Sequence, residues 1–345
     1  MSPDGPDSRA GVTGSLSVLV TGVAGFLGSN LLERLLGEGH SVVGIDNLSM
    51  GSRANIQAQL GNDRFRFVEA DAVARSTFEG IGEQIDVAVH LAAFKIPRYG
   101  KAIDTLQINY QSTDNVLDFC RSRAIKCVLA STSDVYGRNP ELPFREETTD
   151  SVIGSSLSPR WAYAVSKLFD EHLALAYQDA HGFPVVLLRF FGSYGPNQPL
   201  SWWGGPPPVF IDAVLNDRTI PVHGDGQQTR SFTYVSDTTD GIYESIVREQ
   251  ANGRVLNIGS DEEVSIVELA RRIHVISGKP GEPEIEFVPY ESFTGKRYED
   301  VMRRVPDTSL ARQLLDFEAR VSLDEGLRRT IEWQREATRT RRFGR

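Results

Sequence analysis

The chain has 345 residues, of which 40% are hydrophobic and 24% are charged, and this composition excludes a disordered or fibrous protein. Its length suits one large domain or two fused domains, and its net charge of −9 argues against a nucleic-acid partner, because nucleic-acid-binding domains carry an excess of positive charge. The sequence has only two cysteines, Cys120 and Cys127, and no Cys/His cluster, so we expect no bound metal and a reducing compartment. It has no membrane-length apolar run and no apolar signal core, so we expect a cytoplasmic protein without a membrane partner.

Short strand-like runs alternate with amphipathic segments over the first half of the chain, after a flexible N-terminal tail that we expect at residues 1–15. The strand-like runs are almost wholly apolar, which is typical of a parallel sheet covered by helices on both faces. We therefore predict a doubly wound α/β sheet. The predicted strands are residues 16–20, 41–45, 64–68, 87–89, 127–129 and 185–188, and the main predicted helices are residues 27–36, 105–123 and 162–178.

The character of the chain changes near residue 190. Residues 192–208 hold four glycines and five prolines, and we predict a long loop there because neither a helix interior nor a central strand tolerates that composition. Helices are predicted near residues 209–216, 237–249 and 266–276, and a strand near Val222. The predicted organisation is a sheet domain at residues 16–190, a smaller mixed α/β cap made mainly of residues 191–337, with crossings between the two parts allowed, and a solvated basic tail at residues 338–345.

A glycine-rich turn follows the first predicted strand. Gly22, Gly25 and Gly28 form a GxxGxxG pattern, in which glycines permit a tight turn, close approach of the backbone to a pyrophosphate and close packing of the next helix. Asp46 ends the second predicted strand, where an acidic side chain binds the adenosine ribose hydroxyls and repels a 2′-phosphate. The pattern predicts NAD, rather than NADP, as the cofactor.

A tyrosine and a lysine have the spacing of a catalytic pair. Tyr163 and Lys167 are four residues apart, hence on one face of a predicted helix. A phenol is a poor base near neutral pH, but a neighbouring ammonium lowers its pKa, so we expect Lys167 to make Tyr163 a general base. Residues 131–133 add three hydroxyl side chains at the end of a predicted strand, the edge at which a doubly wound sheet binds ligands.

Taken together, these motifs resemble the extended short-chain dehydrogenase/reductase superfamily, specifically its NAD-dependent nucleotide-sugar epimerases and dehydratases. The resemblance covers residues 16–335 and implies a Rossmann domain with retained NAD and a C-terminal substrate cap. It implies a catalytic set of Thr132, Tyr163 and Lys167. The residues that it assigns to the cofactor are Gly22, Gly25, Phe26, Leu27, Gly28, Asp46, Asn47, Asp71, Ala72, Leu91, Ala92, Ala93, Lys95, Asn109, Tyr163, Lys167 and Phe190.

The cap resembles the same family. Residues 224–235 look like its nucleotide-diphosphate segment, in which Arg230 would neutralise the diphosphate, and Arg297 is a second candidate for that role. Val222 and His223 would lie near the uracil of a UDP-sugar. The residues that the resemblance assigns to the substrate are Thr132, Ser133, Asp134, Tyr163, Gly192, Ser193, Val222, His223, Arg230 and Arg297.

Three reactions of the family begin with oxidation of a sugar at C4. A 4,6-dehydratase typically has Asp-Glu after the catalytic hydroxyl and a uronate decarboxylase has Ser-Glu, whereas this chain has Ser133 and Asp134. Asp134 is one methylene shorter than glutamate, so we expect its charge to lie far from the sugar or to be engaged by a local backbone donor. Gly192 stands where the family has asparagine, which we expect to widen the pocket.

The sequence therefore favours a UDP-sugar 4-epimerase that acts on UDP-glucuronate or UDP-glucose. The alternatives are a UDP-glucuronate decarboxylase, a 4,6-dehydratase and, in a different class, a non-catalytic NAD-binding sensor, which would not need Tyr163 and Lys167. The resemblance also implies a homodimer, because the family commonly pairs the two helices that correspond to residues 105–123 and 162–178.

Overall fold

A computed structural model describes residues 14–95, 101–290, 292 and 300–343. Its first half contains, in chain order, β1 (Ser17–Thr21), α1 (Phe26–Gly37), β2 (Ser41–Asp46), β3 (Phe65–Glu69), α2 (Arg75–Glu79), β4 (Val87–His90), α3 (Ala102–Arg123), β5 (Lys126–Thr132), α4 (Ala162–His181) and β6 (Val185–Phe190). Short 3₁₀ helices at Arg53–Gln59, Ser133–Tyr136 and Pro159–Trp161 lie between them.

The second half is made of shorter elements. They are β7 (Ser193–Tyr194), α5 (Pro206–Leu215), β8 (Ile220–His223), β9 (Thr229–Ser231), β10 (Thr233–Tyr234), α6 (Val235–Val247), β11 (Val255–Ile258), β12 (Glu263–Ser265), α7 (Ile266–Ile276), β13 (Ile285–Val288), α8 (Ser309–Leu315) and α9 (Leu323–Phe343), with a 3₁₀ turn at Glu249–Ala251. None of the helices in the described ranges is long and apolar enough to span a membrane.

Seven parallel strands form the central sheet, in the order β3-β2-β1-β4-β5-β6-β11. Val20 of β1 pairs with Gly44 of β2 on one side and with Val89 of β4 on the other. The strand order reverses between β1 and β4, and ligands of such sheets bind in the crevice at the carboxyl ends of these strands. The predicted doubly wound Rossmann fold is therefore confirmed.

The chain crosses back to the sheet after it enters the cap. Strand β11 pairs with β6 in parallel, and Ile242 and Ile246 of α6 belong to the apolar core that also contains Leu35 of α1. A separate apolar core joins α5, β8, α7 and α9, and contains Phe210, Val222 and Leu327. Residues 235–258 thus cover and extend the sheet. The second core stabilises the cap, which faces the carboxyl edge of the sheet.

Two stretches differ from the sequence-based expectation. The predicted loop at residues 192–208 contains the two-residue strand β7, which pairs with β10, and its last residues already belong to α5. Helix α5 begins with prolines, which are tolerated in the first turn because the N–H groups there have no acceptor within the helix. The expected basic tail is helical as far as residue 343; residues 1–13, 344 and 345 lie outside the described residues.

Candidate active site

The turn between β1 and α1 fits a dinucleotide pyrophosphate. Gly22 has a φ of 74°, and a Cβ on Gly28 would lie 2.0 Å from the carbonyl oxygen of Gly22, so only glycine lets α1 pack this closely on the turn. Gly25 caps α1 without a side-chain hydrogen bond. The free N–H groups of the first helical turn therefore face the crevice, where they and the helix dipole attract negative charge.

An acidic side chain, Asp46, lines the crevice next to the glycine turn. The carboxylate of Asp46 accepts the N–H groups of Ala24 at 2.9 Å and Leu48 at 2.8 Å, and burial raises its pKa. The amide of Asn47 donates to Asp71 at 2.9 Å. A fixed carboxylate beside the glycine turn suits the two hydroxyls of an NAD ribose and opposes a 2′-phosphate.

A cavity of about 610 Å³ runs along the carboxyl edge of the sheet, from the glycine turn to the cap. It brings together most residues that the sequence assigned to cofactor and substrate. The predicted residues that line it are Gly22, Gly25, Phe26, Leu27, Gly28, Asp46, Asn47, Asp71, Ala72, Leu91, Ala92, Ala93, Lys95, Thr132, Ser133, Asp134, Tyr163, Phe190, Gly192, Ser193, His223 and Arg230.

Three predicted residues in the described part of the chain, Asn109, Lys167 and Val222, are not among those that line the cavity. Asn109 accepts the N–H of Phe94 at 2.7 Å and donates to Ser166 at 2.9 Å, so it ties the segment after β4 to α4. Val222 is fully buried in the apolar core of the cap. Lys167 is almost fully buried, and Arg297, a fourth predicted residue, lies outside the described residues.

The phenol of Tyr163 lies at the start of α4, hydrogen-bonded to the side chain of Thr132. We expect from the sequence that Lys167 lowers the pKa of this phenol, but burial, Asp134 and Asp170 together raise it. Burial of the phenol is the largest cause, and the ammonium of Lys167 donates to the carboxylate of Asp170 at 2.9 Å. That ion pair offsets the positive charge that would otherwise favour a phenolate.

A cluster of charged side chains lies beside Tyr163. Asp134 forms ion pairs with Arg160 at 3.1 Å and with Arg304 at 2.7 Å. Although burial acts in the opposite direction, the two arginines hold the pKa of Asp134 well below its usual range. Arg230, which the resemblance assigns to the substrate diphosphate, forms an ion pair with Asp300 at 2.8 Å. The expectation that a local backbone donor engages the carboxylate of Asp134 is wrong, because two arginines hold it instead.

Three charged residues that the motifs do not predict also line the cavity: Arg160, Asp300 and Arg304. Arg160 lies three residues before Tyr163, in the 3₁₀ turn that leads into α4, and this proximity was a usable signal. Asp300 and Arg304 carried no such signal, because only the folded cap brings them next to residues 134 and 230.

The structure gives Gly192 a different role from the one expected. Its φ is 49°, and a Cβ would lie 2.1 Å from the carbonyl oxygen of Ser231. A side chain at this position would therefore collide with the backbone of β9 rather than occupy open pocket space. The expectation that Gly192 widens the pocket is wrong: the glycine allows close approach of two backbone segments.

Aromatic side chains form one wall of the cavity. Trp202 stacks on His223 with ring centroids 4.0 Å apart, and Trp203 meets Phe94 edge-on at 5.3 Å. All four residues line the cavity. The long glycine- and proline-rich segment thus carries two tryptophans to the place where the segment after β4 meets the cap.

The fold and the site are those of an extended short-chain dehydrogenase/reductase. The chain has a Rossmann sheet, a glycine turn that fits a pyrophosphate, and a threonine and a tyrosine beneath a cap. The model of the NAD-dependent epimerase/dehydratase family matches residues 18–259. The chain belongs to this family, and it is an NAD-dependent enzyme.

Known proteins of several activities are similar to this chain over nearly its full length. The UDP-N-acetyl-α-D-glucosaminuronate decarboxylase of Bacillus cytotoxicus is 35% identical, over 92% of this chain and 97% of that protein. The UDP-glucose 4-epimerase of Mycolicibacterium smegmatis is 31% identical, over 93% and 99%. A variant of the UDP-glucuronic acid 4-epimerase of Bacillus cereus, solved with NAD and a fluorinated UDP-glucuronic acid, has a TM-score of 0.82 and 31% identity, over 93% and 100%.

Proposed function

We propose that this enzyme oxidises C4 of a UDP-uronate, a UDP-sugar with a carboxylate at C6, and releases C6 as CO₂. The observation that carries the uronate substrate is the Arg160–Asp134–Arg304 cluster beside Tyr163, and the similarity to a uronate decarboxylase supports the loss of CO₂. With Arg230 and Asp300, the cluster holds three positive and two negative charges. The excess positive charge suits an additional anionic group on the substrate, and guanidinium groups bind carboxylates through paired hydrogen bonds.

The oxidation step uses groups that the fold places together. When bound in the crevice beside the glycine turn and Asp46, NAD would supply the hydride acceptor for C4 and the hydride for the later reduction. In its phenolate form, Tyr163 accepts the proton of the C4 hydroxyl and becomes the neutral phenol, and Thr132 orients that hydroxyl. Because burial, Asp134 and Asp170 raise the pKa of Tyr163, the phenol then holds the proton and hydrogen-bonds the new C4 ketone.

The ketone makes the loss of CO₂ favourable. A 4-keto uronate is a β-keto acid, so when the C5–C6 bond breaks its electron pair passes through C5 to the C4 oxygen as an enolate. The hydrogen bond from Tyr163 stabilises that oxygen. A proton from solvent adds to C5 and restores the ketone before its reduction. The similarity to a uronate decarboxylase over nearly the whole chain supports this outcome.

A second candidate is the UDP-sugar 4-epimerase favoured by the sequence. Arg160 and Arg304 offset the charge of Asp134, and arginines that hold the sugar carboxylate stabilise it against loss as CO₂. The similarity to a UDP-glucuronic acid 4-epimerase supports this candidate. In that reaction the 4-keto sugar turns over in the pocket and receives hydride on its opposite face.

Product analysis separates the two candidates. Purified enzyme is incubated with UDP-glucuronate labelled at C6, with UDP-N-acetylglucosaminuronate labelled at C6 and with UDP-glucose, and the products are followed by NMR and by release of labelled CO₂. We expect stoichiometric CO₂ and a UDP-pentose product from a uronate. Retained label with inverted C4 would identify the epimerase instead, and turnover of UDP-glucose alone would contradict a uronate substrate.

The role of the arginine cluster is tested by Arg304→Gln, with Arg303→Gln as the matched control. Arg304 pairs with Asp134 at 2.7 Å inside the cavity, whereas the neighbouring Arg303 pairs with Glu263 outside it. Removing one charged hydrogen bond costs about 1.5–3 kcal/mol, so Arg304→Gln should lower kcat/KM for the uronate roughly 10- to 150-fold. Arg303→Gln should leave it nearly unchanged, and equal losses in both variants would contradict carboxylate recognition by Arg304.

We also propose a homodimer formed through α3 and α4. Tyr110 and Phe169 pack edge to face, yet remain 43% and 50% exposed, and Ile103, Leu106 and Val165 are exposed on the same two helices. Apolar surface of this extent is commonly covered by a partner. Light scattering should give about twice the monomer mass of 38.2 kDa, and Phe169→Lys should shift the protein toward the monomer.

A further inference from the structure

A buried ion pair lies on α4, within two helical turns of the reactive Tyr163. The ammonium of Lys167 donates to Asp170 at 2.9 Å, and the two side chains are only 2% and 0% exposed. The other oxygen of Asp170 is buried and has no hydrogen-bond partner within the described residues. Burying a carboxylate with one such oxygen lowers the free energy of unfolding, because an apolar side chain of similar size would not need to be desolvated. Its cost suggests a role beyond packing.

The ion pair between Lys167 and Asp170 affects the electrostatic environment of the Tyr163 phenol. A lysine ammonium has three N–H donors, and one of them is directed to Asp170. The negative charge of Asp170 neutralises that of Lys167 within the pair, and after burial and Asp134 it is a further cause that raises the pKa of Tyr163. Asp170 therefore opposes the effect by which a neighbouring lysine favours a phenolate.

Two other titratable groups face Tyr163 or the pair, one from the 3₁₀ turn after β5 and one from β4. Asp134, in the 3₁₀ turn after β5, also faces Tyr163 and is paired with Arg160 and Arg304. His90, at the end of β4, faces Lys167; burial and Lys167 lower its pKa to about 3, so it is neutral near neutral pH. Asp170 lies on α4 itself, and it is the acid in direct contact with Lys167.

We propose that Asp170 is a positioning residue that holds the ammonium of Lys167 and limits its effect on Tyr163. A tyrosine in this enzyme must accept a proton when C4 is oxidised and return it when C4 is reduced. An unopposed Lys167 would favour the first step at the expense of the second. This inference rests on Tyr163 as the proton-transfer group of the proposed function, but not on the identity of the sugar.

The test is a pH titration of the Tyr163 phenol in NAD-loaded enzyme, followed by phenolate absorbance. The chain has ten tyrosines, so each spectrum is referred to the same protein with Tyr163→Phe. In Asp170→Asn the midpoint should fall by at least about one pH unit, and the acid limb of kcat/KM should move to lower pH by the same amount. Asp170→Ala, equally uncharged, replaces Asp170→Asn if the latter does not fold.

Glu171→Gln is the matched control. Glu171 is the next residue on α4 and is equally buried, but it pairs with Arg189 rather than Lys167. This variant should lose stability without moving the phenol midpoint. An unchanged midpoint in the Asp170 variants, whatever their activity, would overturn the proposal and leave Asp170 a structural role. Because the spectra need no sugar, they remain decisive even if the substrate is not a uronate.

Discussion

Replacing Tyr163 with phenylalanine should lower kcat by at least about 10²-fold, the usual contribution of a general acid–base group. The ring keeps its packing at the start of α4, while the oxygen that contacts Thr132 and reaches the cavity is lost. Substrate binding should change little, because the reacting proton contributes mainly in the transition state. Steady-state kinetics and calorimetric binding of the substrate would measure the two effects separately.

Tyr177→Phe provides the control on the same helix. Its phenol donates to Asp114 at 2.7 Å near the C-terminal end of α4, and it does not line the cavity. The variant should turn over at nearly the normal rate, with a small loss of stability of about 1 kcal/mol from one hydrogen bond. Comparable activity in the two variants would remove Tyr163 from the proton-transfer step.

Gly28→Ala should leave the enzyme with little bound NAD. The added methyl carbon would lie 2.0 Å from the carbonyl oxygen of Gly22 and 2.7 Å from the Cα of Val23, so the turn must move away from α1. Overpacking of this kind costs about 1–3 kcal/mol. If the turn yields, NAD binding should weaken roughly 5- to 150-fold. Acid release and quantification of NAD from the purified protein would measure the loss.

Gly37→Ala is its counterpart at the other end of α1. A Cβ there meets no atom within 4 Å, and alanine favours a helix over glycine by about 0.8–1.0 kcal/mol. This variant should keep its NAD and unfold at a slightly higher temperature. Full NAD content in Gly28→Ala would show that the close packing of α1 on the turn is not needed for the cofactor.

Elements of both the sheet and the cap could be predicted where they carry strong local patterns. Helix α7 spans the predicted residues 266–276, since its apolar positions recur at the helical spacing and Ser265 caps its start. Strand β11 was not predicted. It has four residues, and a strand this short is stabilised by its neighbour β6 rather than by its own sequence.

The sequence by itself determined the glycine turn, the acid after β2 and the Tyr163–Lys167 spacing, because each depends on residues close together in the chain. Only the tertiary structure decided the charges around them. Asp134 meets Arg304, 170 positions later in the chain, only where the cap closes on the sheet. Spacing put Lys167 and Asp170 on one helix face, but their burial made them an ion pair. Charge interactions depend on burial and distance in space, and the order of residues along the chain specifies neither.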